Sequence, residues 1–537
     1  MHPLFMVRQI TIKKGVVELL RSHTFASSKP NTNAIKELFS GMNKKTLLIG
    51  AAVLALQTAV PALAQNKESK KLTVVEKVNK NIQKNPALLY LDESFASYDK
   101  LQKQIWSLSE LGFQESRSAQ LLTDHLREAG FSIETGVADM PTAFVARYGH
   151  GKPVIGILAE YDALPGLSQD TVPYRKPLVT CGPGHGCGHN VFGVGSAAGA
   201  VAVSKWLQQS GHEGTVIVYG TPAEEGGGGK VYMVREHIFD EADIVFDWHP
   251  GSSQGVSTGL GTAITMVDFR FYGKSAHAAG NPWKGRSALD GVEALDYMVN
   301  LLREHVPTSS RIHYVIANGG EAPNVVPEYA RVSYYIRSPK RETLAKIQEW
   351  IFNAADAAAL GTQTRVEKEI ICGYYEKLPN RILQQLLQDN LELVGPPVWD
   401  ERETAFAREL YQTVDQKAPL ELAHQVQPLR ELEKEGSGGS SDVGDVSWVV
   451  PNAGFSTATF IPGSAGHSWQ NVAADGTTIG TKGAIVAGKV FALSVIELFL
   501  NPKLVAQAKE EFLNRRGPDF EYKALLGDRR PAYDYRK

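Results

Sequence analysis

A chain of 537 residues is too long for one small core and predicts two domains, or one large domain with an insertion. A net charge of −2 with 21% charged residues leaves no basic footprint for nucleic acid and no acidic tail. Only Cys181, Cys187 and Cys372 are present, which excludes a disulfide scaffold, although a Cys181–Cys187 bridge stays open for an exported protein.

Near the start, Met42-Asn-Lys-Lys45 is basic, residues 47–60 are apolar, and Pro61-Ala-Leu-Ala64 offers small residues before Gln65. This pattern reads as a signal peptide over 42–64 within a leader of 1–64, and places the protein in the periplasm or outside the cell. The apolar run is shorter than the ~20 residues of a membrane span, so no stable span is expected once the leader is cleaved. Met42 reads as the true initiator, with Met1 as the other start; an uncleaved anchor is the alternative to the signal peptide, and a leader that is not used would keep the chain cytoplasmic.

Residues 65–85 are lysine-rich, a linker or loose first helix. From 88 to 130 the apolar spacing is helical, with Ile105, Leu108, Leu111, Ala119, Leu122 and Leu126 on the apolar face and Gly130 as a stop. Apolar runs at 154–159, 215–221, 242–246 and 455–460 read as buried strands, and 191–209 as a helix ended by Gly211. Acidic residues or histidines follow every one of these strands: Glu160 and Asp162, Glu224 and Glu225, Asp247 and His249, then His467. Alternating helices and buried strands predict an α/β fold with a mainly parallel sheet. Ligands of such sheets bind beyond the carboxyl ends of the strands. Cys187, His189, Glu225, His249 and His467 are therefore expected to gather at one edge.

Between 262 and 374 the texture changes. Residues 263–272 alternate as a strand, 287–305 form an amphipathic helix, 311–316 and 330–336 are strands, 344–359 a helix and 364–371 a strand. The order βαββαβ is the ferredoxin-like split motif and predicts a small domain inserted into a catalytic domain made of 65–261 and 375–537. The larger domain resumes with a helix at 378–393 and closes with one at 482–499. The last 25 residues, charged and holding Pro518 and Pro531, are expected to lie on the surface as a tail.

The stretch Cys181-Gly-Pro-Gly-His-Gly-Cys-Gly-His189 carries two thiols and two imidazoles in a glycine-rich loop that can wrap a small ligand. Cys and His are zinc- and manganese-type ligands, and Cys187 with His189 form the best pair; a glycine-rich turn with a buried Cys is the other reading. Glu224 and Glu225 follow a strand, where neighbouring side chains point apart. One can bind a metal while the other takes a proton from water, the division that metal-assisted hydrolysis needs. Gly226-Gly-Gly-Gly-Lys230 fails as a phosphate loop because Val231 stands where Ser or Thr is required. No His-Glu-x-x-His helix and no Gly-x-Ser-x-Gly elbow are present.

Tyr161-Asp-Ala-Leu-Pro165, Gly186-Cys-Gly-His-Asn190, Pro222-Ala-Glu-Glu-Gly226, Lys274-Ser-Ala-His-Ala278, Ala322-Pro-Asn-Val-Val-Pro327, Val394-Gly-Pro-Pro-Val-Trp-Asp400 and Ser441-Asp-Val-Gly-Asp445 occur together within 88–500. In that combination the chain resembles the aminoacylase/carboxypeptidase family of two-metal amidohydrolases. The resemblance implies hydrolysis of the amide bond of N-acyl or aryl-acyl amino acids with two divalent ions, zinc or manganese, per subunit. A metallo-dipeptidase and a non-catalytic partner subunit are the other readings. It implies Cys187, His189, Glu225, His249 and His467 as metal ligands, with the Cys187 thiolate bridging the ions. Glu224 becomes the general base and Asp162 the acid that orients an imidazole. It further implies that His277, on the inserted domain, stabilises the oxyanion in a partner's site, that Asn324 and Arg337 lie near the substrate carboxylate, and that the inserted domain carries the contact of a homodimer or of a dimer with a related subunit. Asn190 departs from the pattern, since many relatives carry Asp there.

Overall fold

The structure, a computed structural model, describes residues 85–436 and 438–535. The leader and signal peptide read at 1–64, and the lysine-rich stretch up to residue 84, lie outside these residues. The helical run expected over 88–130 is three helices, α1 (Pro86–Glu93), α2 (Phe95–Leu108) and α3 (Ser116–Glu128). Ser109 ends α2 in the left-handed region at φ 45°, and Asn85 caps α1 by accepting from the Ala87 amide.

The chain continues through β1 (Ser132–Thr135), β2 (Phe144–His150), β3 (Val154–Ala159), α4 (His189–Ser210), β4 (Gly214–Gly220), α5 (Gly229–Arg235), β5 (Ile244–Gly251) and β6 (Gly255–Val256). Next come β7 (Ala263–Tyr272), α6 (Ala288–Leu302), β8 (Arg311–Asn318), β9 (Tyr329–Ser338), α7 (Arg341–Thr362) and β10 (Arg365–Tyr374). The remaining elements are α8 (Arg381–Val394), α9 (Glu401–Tyr411), α10 (Val443–Val449), β11 (Asn452–Ala458), α11 (Trp469–Asp475), α12 (Thr478–Leu500) and α13 (Pro502–Arg516).

Seven strands form the larger sheet in the order β1-β2-β4-β3-β5-β11-β6. Its centre, β4-β3-β5-β11, is parallel throughout, and the flanking pairs are antiparallel. Every residue of β3, Val-Ile-Gly-Ile-Leu-Ala, is buried, as a central strand covered on both faces requires. Helices α4 and α12 pack on one face. Gly199 permits their close approach, since a Cβ there would stand 2.8 Å from that of Phe491. Helix α12 is long and apolar enough to cross a membrane, but it is the buried partner of α4 in this core.

The third expected strand, 242–246, is longer than its apolar run. Parallel pairing of Asp247–Gly251 with Gly454–Ala458 extends β5 through His249, so this histidine sits on the strand and not after it.

Strands β7 to β10 build a second, antiparallel sheet in the order β10-β7-β9-β8, with α6 and α7 interleaved as βαββαβ. On β7, Val267, Phe269 and Phe271 pack with those two helices. The alternate residues Ile264 and Met266 join Tyr374 and Cys372 in a cluster with Leu158, Tyr219 and Val245 of the first sheet. That face of the second sheet therefore packs against the first sheet.

The expected surface tail behaves differently from its composition. Leu526 is buried in the core, Tyr522 donates to Asp445 Oδ1 at 2.7 Å, and Arg529 pairs with Glu369 at 2.6 Å. Apolar, hydroxyl and charged anchors spaced along the segment pin it across the surface of the molecule.

Candidate active site

The parallel strands deliver their chemistry to one edge. Beyond β3 lie Glu160 and Asp162; beyond β4 the turn Pro222-Ala-Glu-Glu-Gly226; on β5, His249; beyond β11, His467. The Cys/His loop closes the edge by running into α4, whose N-cap is Gly188. That position needs glycine: φ is 84°, and a Cβ would stand 2.6 Å from Pro250 and 2.8 Å from Asp475. Ala223 and His467 also take the left-handed region, at φ 56° and 55°, a strain that well-packed functional turns hold. The turn at Ala223 is held by four side chains: Glu115 accepts from its amide at 2.8 Å, Asp162 from the Glu225 amide at 2.9 Å, Tyr374 donates to the Glu224 carbonyl at 3.2 Å, and Tyr535 to the Glu225 carbonyl at 3.1 Å.

Three sets of donor atoms emerge. Those of Cys187, His189 and His249 lie within 4.8 Å of one another, and so do those of Cys187, Glu225 and His467 and those of Glu160, His189 and Glu224. Cys187 Sγ belongs to the first two. It stands 3.4 Å from His249 Nε2, while His467 Nε2 stands 3.3 Å from Glu225 Oε1. His249 Nδ1 donates to the Pro250 carbonyl at 2.7 Å, which leaves Nε2 as a lone pair facing the thiol.

The residues fit a cation. His189 Nδ1 donates to Asp162 at 2.8 Å, which fixes the ring and turns Nε2 toward Glu160. That Nε2 lies 3.1 Å from Glu160 Oε2, both buried and without a hydrogen-bond partner. A buried ring nitrogen and a buried carboxylate oxygen converge there, and positive charge, as a proton on the ring or a cation between them, would reconcile the two. Sulfur, imidazole and carboxylate donors together suit a divalent metal ion.

The electrostatics divide the two adjacent carboxylates. Desolvation, reinforced by Glu160 and Glu225, holds the Glu224 carboxyl well above the usual range. Against its own desolvation, Glu225 is lowered by its hydrogen bond with His467 and by His189. Asp162 is likewise lowered against burial by the charge and hydrogen bond of His189, and desolvation pushes the Cys187 thiol up.

A cavity of about 720 Å³ opens on this cluster, lined by Cys187, Glu224, Glu225, His249 and His467 on the floor and by Tyr335, Arg337 and Ser440 on the wall. Arg337, on β9, donates to Ser440 Oγ at 2.7 Å and to His313 Nε2 at 3.3 Å. It makes no ion pair with a described residue, and burial lowers its pKa. His277 and Asn324 do not line this cavity. Both are exposed on adjoining loops of the second sheet, where the Ala278 amide donates to the Asn324 carbonyl at 3.0 Å and His277 bridges to Val325.

Lys230 escaped the sequence reading, which named Glu160 and Asp442 only as parts of a strand end and a motif, with no role. Lys230, fully buried, reaches Glu160 Oε1 at 2.7 Å and Asp442 Oδ1 at 2.8 Å. Its signal was present: a lysine set between a glycine run and an apolar helix has no route to water. Glu160 and Asp162 also share a face on an extended segment, where side chains repeat every two residues.

With this geometry, the comparisons with known proteins agree. Residues 156–475 match the family model of peptidase family M20/M25/M40, and the chain belongs to that family, as a metal-dependent amidohydrolase. It is 39% identical over 440 residues to a p-aminobenzoyl-glutamate hydrolase subunit of Escherichia coli (strain K12), covering 77% of this chain and 91% of that protein. It is 29% identical over 441 residues to the Xaa-Arg dipeptidase of Homo sapiens, covering 79% and 90%. The crystal structure of an aminobenzoyl-glutamate utilization protein from Klebsiella pneumoniae shares the fold, with a TM-score of 0.53 at 18% identity over 76% of this chain and 97% of that one.

Proposed function

We propose that this protein hydrolyses the amide bond of aryl-acyl amino acids of the p-aminobenzoyl-glutamate kind, using two divalent ions, zinc or manganese, per subunit. The observation that carries the reading is the pair of donor triplets sharing Cys187 Sγ on the floor of a cavity walled by Arg337. Cys187, His189 and His249 would hold one ion, and Cys187, Glu225 and His467 the other. When bound, the ions supply Lewis acidity and lower the pKa of water.

The protein's own residues supply the rest. Glu224, held at a raised pKa, takes the proton of the attacking water as the carbonyl carbon gains its C–O bond. It returns that proton to the amide nitrogen as the C–N bond breaks. Asp162 fixes the His189 tautomer and ring. The Arg337 fork takes the substrate's α-carboxylate. His277 and Asn324 are exposed on one chain, and we assign them to the site of a partner, where His277 stabilises the oxyanion.

The second sheet supports that assignment. Its edge strand β8 exposes Val315 and Ile316 beside an unpaired backbone, and α6 exposes Tyr297 and Leu301. The partner is a second copy or a related chain, in keeping with the E. coli relative, which is itself named as one subunit of a hydrolase. The segment 42–64 supports an exported enzyme, with N-terminal sequencing of the mature protein expected to begin near Gln65.

The test is a substrate screen on metal-free protein with manganese, zinc or cobalt added back. p-Aminobenzoyl-glutamate and other N-acyl amino acids should be hydrolysed, and chelation should stop it. Faster turnover of dipeptides would replace the reading with the dipeptidase one.

A further inference from the structure

A second cavity, of about 330 Å³, branches from the first and shares Ser257, Lys377, Gly439, Ser440 and Ser441 with it. Among the described residues Lys377 is the only charged one that lines the branch; hydroxyls and glycines make up most of the remaining wall. Its ammonium has one acidic neighbour, Asp247 Oδ2, at 3.7 Å. That separation exceeds the 2.7–2.9 Å of a charge-assisted hydrogen bond, and Asp247 Oδ1 is already engaged by Asn452 at 3.0 Å. Lys377 makes no side-chain hydrogen bond to any described residue, and 27% of its side chain is exposed, into the cavity.

The neck between the two cavities is built on Ser440. Its hydroxyl accepts from Arg337 Nη1 at 2.7 Å on the side of the main cavity, and lies 3.0 Å from Thr262 Oγ1 on the side of the branch. Arg337 lines the main cavity and Lys377 lines both, so two cations without a close carboxylate partner face this connected space. A neutral amino acid would engage one of them and leave the other desolvated beside an apolar side chain, which costs binding. A dicarboxylic amino acid would engage both.

We infer that the branch is a subsite for the side-chain carboxylate of the leaving amino acid, with Lys377 as the residue that selects glutamate or aspartate over neutral and basic residues. The inference rests on the proposed amidohydrolase reading, with Arg337 on the α-carboxylate. It also separates this chain from relatives named for cleavage beside arginine: a basic side chain would be repelled from this branch.

The test compares kcat/KM for p-aminobenzoyl-glutamate, p-aminobenzoyl-glutamine and p-aminobenzoyl-lysine in the metal-loaded wild type and in Lys377→Met, Lys377→Arg and Lys377→Glu. Glutamate and glutamine have the same shape, so their ratio isolates the charge. In Lys377→Met the glutamate-to-glutamine preference should fall roughly 10- to 100-fold, the range for a hydrogen bond to a charged group. Lys377→Arg should keep most of the preference, and Lys377→Glu should move it toward lysine. An unchanged ratio in folded Lys377→Met and Lys377→Glu, or equal losses on all three compounds, would overturn the subsite while leaving the hydrolase reading intact. A wild type inactive on all three would overturn the hydrolase reading, and the subsite with it.

Discussion

The hydroxyl of Tyr535 donates to the carbonyl oxygen of Glu225 across 3.1 Å, though 310 residues separate them in sequence. The contact joins the final segment of the chain to the turn that carries both adjacent glutamates. The Tyr535 ring packs edge-on to Phe113 at 5.8 Å, beside Tyr533 at 5.9 Å. The segment that composition marks as a solvated tail therefore buttresses the site.

Tyr535→Phe keeps the ring contact and removes only the hydroxyl. The loss of one hydrogen bond is worth about 1 kcal/mol, so kcat/KM should fall roughly fivefold, with kcat carrying the change because Tyr535 does not line the main cavity. Steady-state kinetics at saturating metal check this. An unchanged kcat would reduce Tyr535 to packing.

Cys187 is expected to be shielded when the site is loaded. A thiol reagent should modify it faster after chelation than before, because the free thiolate is the reactive form. Cys181, exposed and outside all three donor sets, is the internal reference. Mass-spectrometric labelling rates at the two positions decide it, and a Cys187 rate indifferent to chelator would remove it from the ligand set.

Glu115 ties pH to stability. Burial, reinforced by Asp162, raises its carboxyl to about 8, against an ordinary carboxyl near 4.5. Between those values the folded state holds a proton that the unfolded chain releases, so stability is greatest below about 4.5 and declines as pH rises through 8. Glu115→Gln preserves the shape, and the Thr142 hydroxyl, now a donor at 3.0 Å, can turn to accept. Urea midpoints measured from about pH 5 to 9 should show wild type losing stability relative to Glu115→Gln as pH rises. Parallel curves would contradict the assignment.

Shared sites between subunits make a quantitative expectation. Inactive Glu224→Ala and inactive His277→Ala, unfolded together and reassociated, form heterodimers in half of all pairings, each with one intact site. Activity should recover to about one quarter of wild type. No recovery from a mixture shown to contain heterodimers would place His277 outside the partner's site.

Much of this molecule is legible in the sequence because its strongest signals are local. The continuous apolar run of β3 and the alternation along β7 fix those strands to the residue. The βαββαβ order follows from periodicities that change cleanly between 2 and 3.6. The donor residues of the site were legible because Cys and His in a glycine-rich loop, and acids after buried strands, are rare combinations. What escaped is non-local. Lys230 is buried only because Glu160 and Asp442 arrive from elsewhere in the chain. The length of β5 depends on pairing with β11, and Tyr535 acts through a backbone carbonyl that any residue could supply. Short elements such as β6 and α5 carry too few residues for a period to show.

The division of labour between Glu224 and Glu225 is the centre of the account, and paired substitution tests it most directly. Glu225 lies in a donor triplet with Cys187 and His467, and Glu224 in one with Glu160 and His189 that lacks the shared Cys187, so the geometry alone does not separate ligand from base. Metal content by mass spectrometry and turnover, measured together on Glu224→Gln and Glu225→Gln, separate ligand from base. Glu224→Gln should keep near-normal metal and lose turnover, by roughly the 10²–10⁴-fold typical of a positioned base, while Glu225→Gln should lose metal as well. Equal metal loss in both variants, or turnover surviving in Glu224→Gln, would contradict it.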